Sequence, residues 1–150
     1  MRAVIQRVTQ ASVTISGQRH AGIGHGLVVL LGVDATDQPA DAEWLCGKIV
    51  RLRVFADAQG QMNRALAEVG GELLVVSQFT LFASTVKGNR PSFLRAALPE
   101  VAKPLYDLAL ELLQGALGRP VAAGVFGADM QLTLVGDGPV TILIDSRARD

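Results

Sequence analysis

The sequence predicts a strand-rich, mixed α/β single domain, with a mixed or antiparallel sheet or barrel-like core and two main helices. Three observations carry this. Leu27-Val28-Val29-Leu30-Leu31 and Leu73-Leu74-Val75-Val76 are short, continuously apolar runs, the pattern of strands buried on both faces. Only two stretches, about residues 40–50 and 100–117, carry apolar side chains at helical spacing. The other apolar segments are short and separated by Gly, Pro and Asp turns.

Residues 1–15 alternate imperfectly between apolar and polar, so a strand is expected with a break near Gln10-Ala11. Ser16-Gly17-Gln18 is a turn into a glycine-rich segment, and a buried strand comes next at 27–33. Thr36 or Asp37 is the expected cap of a helix at 40–50, with Ala42, Leu45, Cys46, Ile49 and Val50 as its apolar stripe. A strand at 52–55 precedes turns at 57–60 and Gly70-Gly71. The strand at 73–82 leads into a loop at 83–90. In the second helix Val101, Leu105, Leu108, Leu112 and Leu113 share a face, Pro104 falls in the first turn, and Gly118 and Pro120 end it. Strands are expected at 121–126, 130–135 and 140–144, with residues 136–139 as a hairpin turn between the last two.

The length of 150 residues fits one domain, 1–150, large enough to bury a core without a metal or a disulfide. With 49% apolar and 19% charged residues, the chain can bury enough surface to fold rather than remain disordered. The 14 basic and 14 acidic side chains balance, which argues against gripping a long run of phosphates, as in DNA, but leaves room for one RNA end. Cys46 is the single cysteine, so no intrachain disulfide forms and a reducing cytoplasm is the expected location. The longest apolar run is far short of the ~20 residues that span a bilayer, so no membrane partner is expected. His20 and His25 lack ligand spacing with a cysteine or carboxylate cluster, and no metal or cofactor is expected. Cys46 and Met130 read as core.

The strand at 73–82 is interrupted by Ser77-Gln78 before it resumes as Phe79-Thr80-Leu81-Phe82. Buried polar side chains need partners or cost roughly 1–3 kcal/mol each. The interruption is therefore either a turn leaving the core or the floor of a site.

Taken together, Ser77-Gln78-Phe79-Thr80-Leu81 and Gly138-Pro139-Val140-Thr141 resemble the paired signatures of D-aminoacyl-tRNA deacylases. The resemblance extends through the opening MRAVIQRV, the loop at 87–93 (KGNRPSF) and the block at 124–131 (GVFGADMQ). Gly136 departs from it, because the family has asparagine there.

The resemblance implies a homodimeric hydrolase of the ester between a D-amino acid and the 3′ end of tRNA, with glycyl-tRNA(Ala) as a second substrate. It implies that Ser77, Gln78, Phe79 and Thr80 form the catalytic floor. Main-chain N–H groups at Phe79 and Thr80 would hold the oxyanion. Gly138-Pro139, with a cis bond, would form a main-chain wall lent by the partner subunit, and Arg7 would hold it. The wall would read handedness rather than side-chain size. Phe126 is the candidate seat for adenine, and Lys87 and Arg90 are candidates for phosphates.

Thr80 has no adjacent general base in the sequence, which favours water or the tRNA 2′-hydroxyl as the activated group. Three alternatives stand beside this reading: a trans-proline deacylase acting on L-alanyl-tRNA(Thr), a threonine-nucleophile amidohydrolase, and a non-catalytic binding module.

Overall fold

Strand β1, Arg2–Ile15, organises the sheet. A computed structural model describes residues 1–149. Beyond β1, the strands are β2 (Gln18–Ile23), β3 (Gly26–Gly32), β4 (Arg53–Ala56), β5 (Met62–Ala65), β6 (Glu72–Ser77), β7 (Ala122–Ala123) and β8 (Gln131–Asp145). The helices are α1 (Pro39–Arg51) and α2 (Pro99–Leu117). The main sheet runs β2-β1-β3-β6-β7, and β8 pairs with β1. Residues 2–8 of β1 pair with β3, and residues 11–15 pair with β2. β3 and β6 are parallel, as are β6 and β7.

The alternation of side chains divides the interior in two. Ala3, Ile5, Leu27, Val29, Leu31, Leu73 and Val75 join α1 and α2 in the larger core. Val8, Ala11, Val13, Val28, Leu74 and Val76 form a second core on the opposite face, closed by the far half of β1. β3 and β6 feed both cores, which is why their sequences are continuously apolar. Each fully buried Leu or Val contributes about 1.5–3 kcal/mol.

Several expectations are corrected. Residues 136–139 are not a hairpin turn, and β8 is one strand paired with β1 along its length. Gln6 pairs with Thr141 and Val8 with Gly136, so residues 137–140 bulge out opposite the single residue Arg7. The bulge suits Pro139, which has no N–H to give a ladder, and Gly138, whose φ is +113°. The ladder of β1 is irregular nearby, between Gln6 and Gln10, just before the expected break.

The strand expected at 73–82 ends at Ser77, and Phe79–Phe82 is a 3-10 turn. Only Ala122–Ala123 pairs within the strand expected at 121–126. β5 escapes pattern reading because Met62, Asn63 and Arg64 are all exposed. The N-cap of α1 is Gln38, not Thr36 or Asp37, and its N–H donates to Asp41 Oδ2 at 2.9 Å. Asp37 instead takes the buried N-terminal ammonium of Met1 at 2.7 Å.

On α2 the buried residues are Ala102, Leu105, Tyr106, Ala109 and Leu113, a stripe rotated from the expected one. Val101 is exposed. Pro104 lies inside the helix, beyond its first turn, and Pro99 starts it. The Cys46 thiol packs in the core, where burial pushes it up to about 12.

Candidate active site

At the end of β6 the chain stops pairing as a strand but stays anchored. The Gln78 N–H donates to the Leu31 carbonyl at 2.8 Å. Gly32 permits this close approach, since a Cβ there would lie 2.9 Å from the Gln78 carbonyl oxygen. The 3-10 turn then begins, with Leu81 N–H on the Gln78 carbonyl (3.4 Å) and Ala83 N–H on the Thr80 carbonyl (3.0 Å). Neither the Phe79 nor the Thr80 N–H has a hydrogen-bond partner among the described residues. The Gln78 side-chain amide donates to the Thr80 hydroxyl.

The turn is clamped from behind. Arg2 donates to the Leu81 carbonyl (2.8 Å) and to Asp145 Oδ2 (2.7 Å), and its guanidinium lies 4.8 Å from the Phe82 ring centroid. Burial pushes the Asp145 carboxyl up, but the Arg147 N–H and the Arg2 guanidinium outweigh it and hold the group below the usual carboxylate range. The turn therefore sits against a charged brace that joins both ends of the chain.

Ser77, Gln78 and Phe79 open into a cleft of about 560 Å³. Its walls are mostly apolar, including Val76, Phe93, Tyr106, Phe126 and Met130. The Tyr106 hydroxyl donates to the Val75 carbonyl at 3.1 Å and so fixes α2 to β6 beside the site. Burial, with Asp107 alongside, pushes that hydroxyl up to about 12, so it remains a donor. The Phe126 ring lies 5.8 Å from the Tyr106 ring. No His, Lys, Arg, Cys, Asp or Glu lines the cleft among the described residues. What it offers chemically is an apolar container with one polar corner, formed by Ser77, Gln78 and Phe79, and the free N–H of Thr80 comes next in the chain.

The structure thus brings Ser77, Gln78, Phe79 and Phe126 together around one cleft, with Thr80 joined through Gln78. Arg7, Gly138 and Pro139 form a separate cluster and do not line it. The Gly138–Pro139 peptide bond is cis. The Arg7 guanidinium donates to the Val54 carbonyl. Its Nε lies 2.9 Å from Asp137 Oδ2 without pointing at it, which makes an ion pair rather than a formed hydrogen bond. A Cβ on Gly138 would lie 3.0 Å from Arg7 Nη2. Arg7 therefore supports the bulge from beneath, through Asp137 and by direct packing on Gly138. His25 stands 4.0 Å from the same Asp137 oxygen. Lys87 and Arg90 are exposed.

A protein-family model described as D-Tyr-tRNA(Tyr) deacylase matches residues 4–145. The chain belongs to that family. Among relatives of this D-Tyr-tRNA(Tyr) deacylase family member, a D-aminoacyl-tRNA deacylase of Opitutus terrae is 61% identical over 150 residues, covering 100% of both chains. One from Cytophaga hutchinsonii is 59% identical over 147 residues, covering 98% of each. A solved structure described as "c-Myc DNA Unwinding Element Binding Protein" is 42% identical with a TM-score of 0.91, over 97% of this chain and 98% of that one. Another, "Structural Analysis of a probable eukaryotic D-amino acid tRNA deacylase", has a TM-score of 0.82 at 19% identity, over 95% and 97% of the two chains, and shows the likeness of fold.

Sequence reasoning missed Tyr106, Phe93 and Asp137 in this deacylase fold. Tyr106 is the single tyrosine and comes directly after Leu105, so a stripe read one residue further round α2 would have found it. Asp137 lay inside the supposed turn. Its role depends on the bulge that sets it against Arg7, and no spacing rule reports that.

Proposed function

We propose that this chain hydrolyses the ester of D-aminoacyl-tRNA, with the carbonyl oxygen received by the Phe79 and Thr80 N–H groups. The single observation that carries this is a pair of consecutive unpartnered main-chain donors, at Phe79 in the polar corner of an apolar cleft and at Thr80 next to it in the chain. Preorganised donors aimed where negative charge develops are often the largest catalytic term. An aminoacyl ester is already labile, so no strong nucleophile is required. Water, or the 2′-hydroxyl of the terminal ribose, supplies the attacking or assisting oxygen. Ser77 and Gln78 orient the ester and ribose, and Phe126 with Tyr106 seats the terminal adenine. Thr80 positions its own N–H, while its hydroxyl is engaged by Gln78.

Handedness is read, in this proposal, by the backbone of Gly138-Pro139 from a second copy of the chain. Three features support that reading. The dipeptide is exposed, it is looped out on a bulge braced by Arg7, and it lies outside the cleft of its own protomer. Leu134, Val135 and Leu143 of β8 are also exposed and give a second copy apolar surface to cover. A wall of bare main chain excludes a substituent of the wrong hand at the α-carbon whatever its size, and it admits glycine, so glycyl-tRNA(Ala) is included as a substrate. The proposed setting is the cytoplasm.

The test is incubation of the purified protein with D-tyrosyl-tRNA, L-tyrosyl-tRNA and glycyl-tRNA(Ala), with the mass in solution measured in parallel. Loss of the D and glycyl esters from a dimer, with the L ester intact, is expected. Equal persistence of the D and L esters would remove the enzymatic reading.

A further inference from the structure

The cleft has two aromatic stations, and the proposed reaction uses only the inner one. The inner station is Phe126 against Tyr106. The outer is Phe79 against Phe93, packed edge to face with centroids 5.1 Å apart. Both outer rings line the cleft, yet they remain 58% and 37% exposed. Their neighbour in the core, Phe82, is 3% exposed, so this part of the chain can bury a phenylalanine and leaves these two out.

The backbone under the pair is held. Ser84 and Ser92 exchange two hydrogen bonds, at 2.8 and 2.9 Å, which close the loop just before Phe93. The Ala96 N–H then donates to the Phe93 carbonyl at 3.0 Å. The loop thus closed carries the exposed cations Lys87 and Arg90. An exposed aromatic pair at the lip of a cleft, with basic side chains on the adjoining loop, is an arrangement that stacks a base of single-stranded nucleic acid while cations meet its backbone.

Geometry selects which base. The ester must reach the N–H groups of Phe79 and Thr80, so the nucleoside that carries it occupies the cleft. Its base takes the inner station. The strand then leaves the cleft past the lip, where Phe79 and Phe93 stand. We infer that the Phe79–Phe93 pair is a second base-stacking site, which receives the nucleotide immediately 5′ of the terminal adenosine of the RNA substrate. This rests on the proposed function above and extends it from the ester to the adjoining RNA chain.

The test compares D-tyrosyl-tRNA with D-tyrosyl-adenosine, which lacks that nucleotide. Phe93→Ala is expected to lower the preference for the long substrate over the short one about tenfold, through KM rather than kcat. Phe93→Trp is expected to restore it, because any flat ring stacks. A tRNA with an abasic sugar at the penultimate position is expected to lose the same factor with the wild type, and to lose nothing further with Phe93→Ala. A preference unchanged by Phe93→Ala would overturn the inference. So would equal losses on both substrates, which mark a structural defect. A change of oligomeric state with the preference intact would also overturn it, because the pair would then face another copy of the chain. Failure of the wild type to hydrolyse either ester would be a different result, and it would remove the function on which the inference rests.

Discussion

Replacing Gly138 with alanine isolates the role of bare backbone in the bulge. The new Cβ would sit 2.9 Å from Val140 Cγ2 and 3.0 Å from Arg7 Nη2, at a φ of +113°. Holding a residue with a Cβ at such a φ costs about 1–3 kcal/mol. Arg7 would also have to move from the Val54 carbonyl and from Asp137. A hydrogen bond to a charged group is worth about 1.5–3 kcal/mol. Together these approach the lower end of a domain's whole stability, about 5–15 kcal/mol. The bulge is looped out of the ladder with β1, so it can shift locally, and a folded protein with a lowered Tm is expected. The functional loss should be larger in proportion, because a displacement near 1 Å at a positioning group costs about 100-fold.

The assay is kcat/KM on D- and L-tyrosyl-tRNA, with thermal unfolding and mass in solution as controls. Gly138→Ala is expected to lower the D-over-L ratio about 100-fold. Gly136→Ala is the matched control. A Cβ there meets only Gln6 Nε2 at 3.5 Å, an ordinary contact, so the ratio should hold. A folded dimeric Gly138→Ala protein with undiminished discrimination would refute the reading of handedness by main chain.

Thr80→Ala should leave most of the activity, within about tenfold, and the wild type should yield no acyl-enzyme in a denaturing mass measurement of the reacting mixture; an adduct on Thr80 would establish a threonine nucleophile instead. Asp37→Ala leaves the buried Met1 ammonium and Arg147 without their shared carboxylate. It should cost about 3–5 kcal/mol in urea unfolding at constant m, and a loss below about 1 kcal/mol would deny that the pair is desolvated. Acid should weaken the fold through Asp34, Asp41 and Asp145. Burial pushes each carboxyl up, but hydrogen bonds and nearby positive groups outweigh it and hold all three below the usual range. The unfolded chain then binds the extra protons, so this stability is present above about pH 4 and is lost as pH falls through the lowered values. Asp145→Asn should flatten part of that acid dependence, as measured by unfolding midpoints across pH 2–6.

The residues themselves announced much of the architecture. The apolar runs at 27–31 and 73–76 require two buried faces, and β3 and β6 have them. The spacing of Ala42, Leu45, Cys46 and Ile49 fixed the buried face of α1, because helical period and stripe agree there. On α2 two adjacent stripes were both apolar, and packing into the core shared with α1 chose the one containing Tyr106. Ser77-Gln78 stood out as a polar break in an apolar strand, and it lies at the floor of the cleft.

The turn after Ser77 was not legible in the residues that make it. Phe79-Thr80-Leu81-Phe82 suits a strand as well as a turn, and the groups that hold the turn in place are distant in sequence: the Leu31 carbonyl, Gly32 and the Arg2–Asp145 brace. Gly138-Pro139 likewise reads as a turn in isolation. Only the pairing of both halves of β8 with β1 makes it a bulge opposite Arg7. Local sequence determined which segments must be buried and where polar chemistry interrupts them, since burial and period are properties of neighbours in the chain. Tertiary structure decided the direction of the chain at both motifs, because contacts between its distant parts set which backbone groups are paired and which are left free.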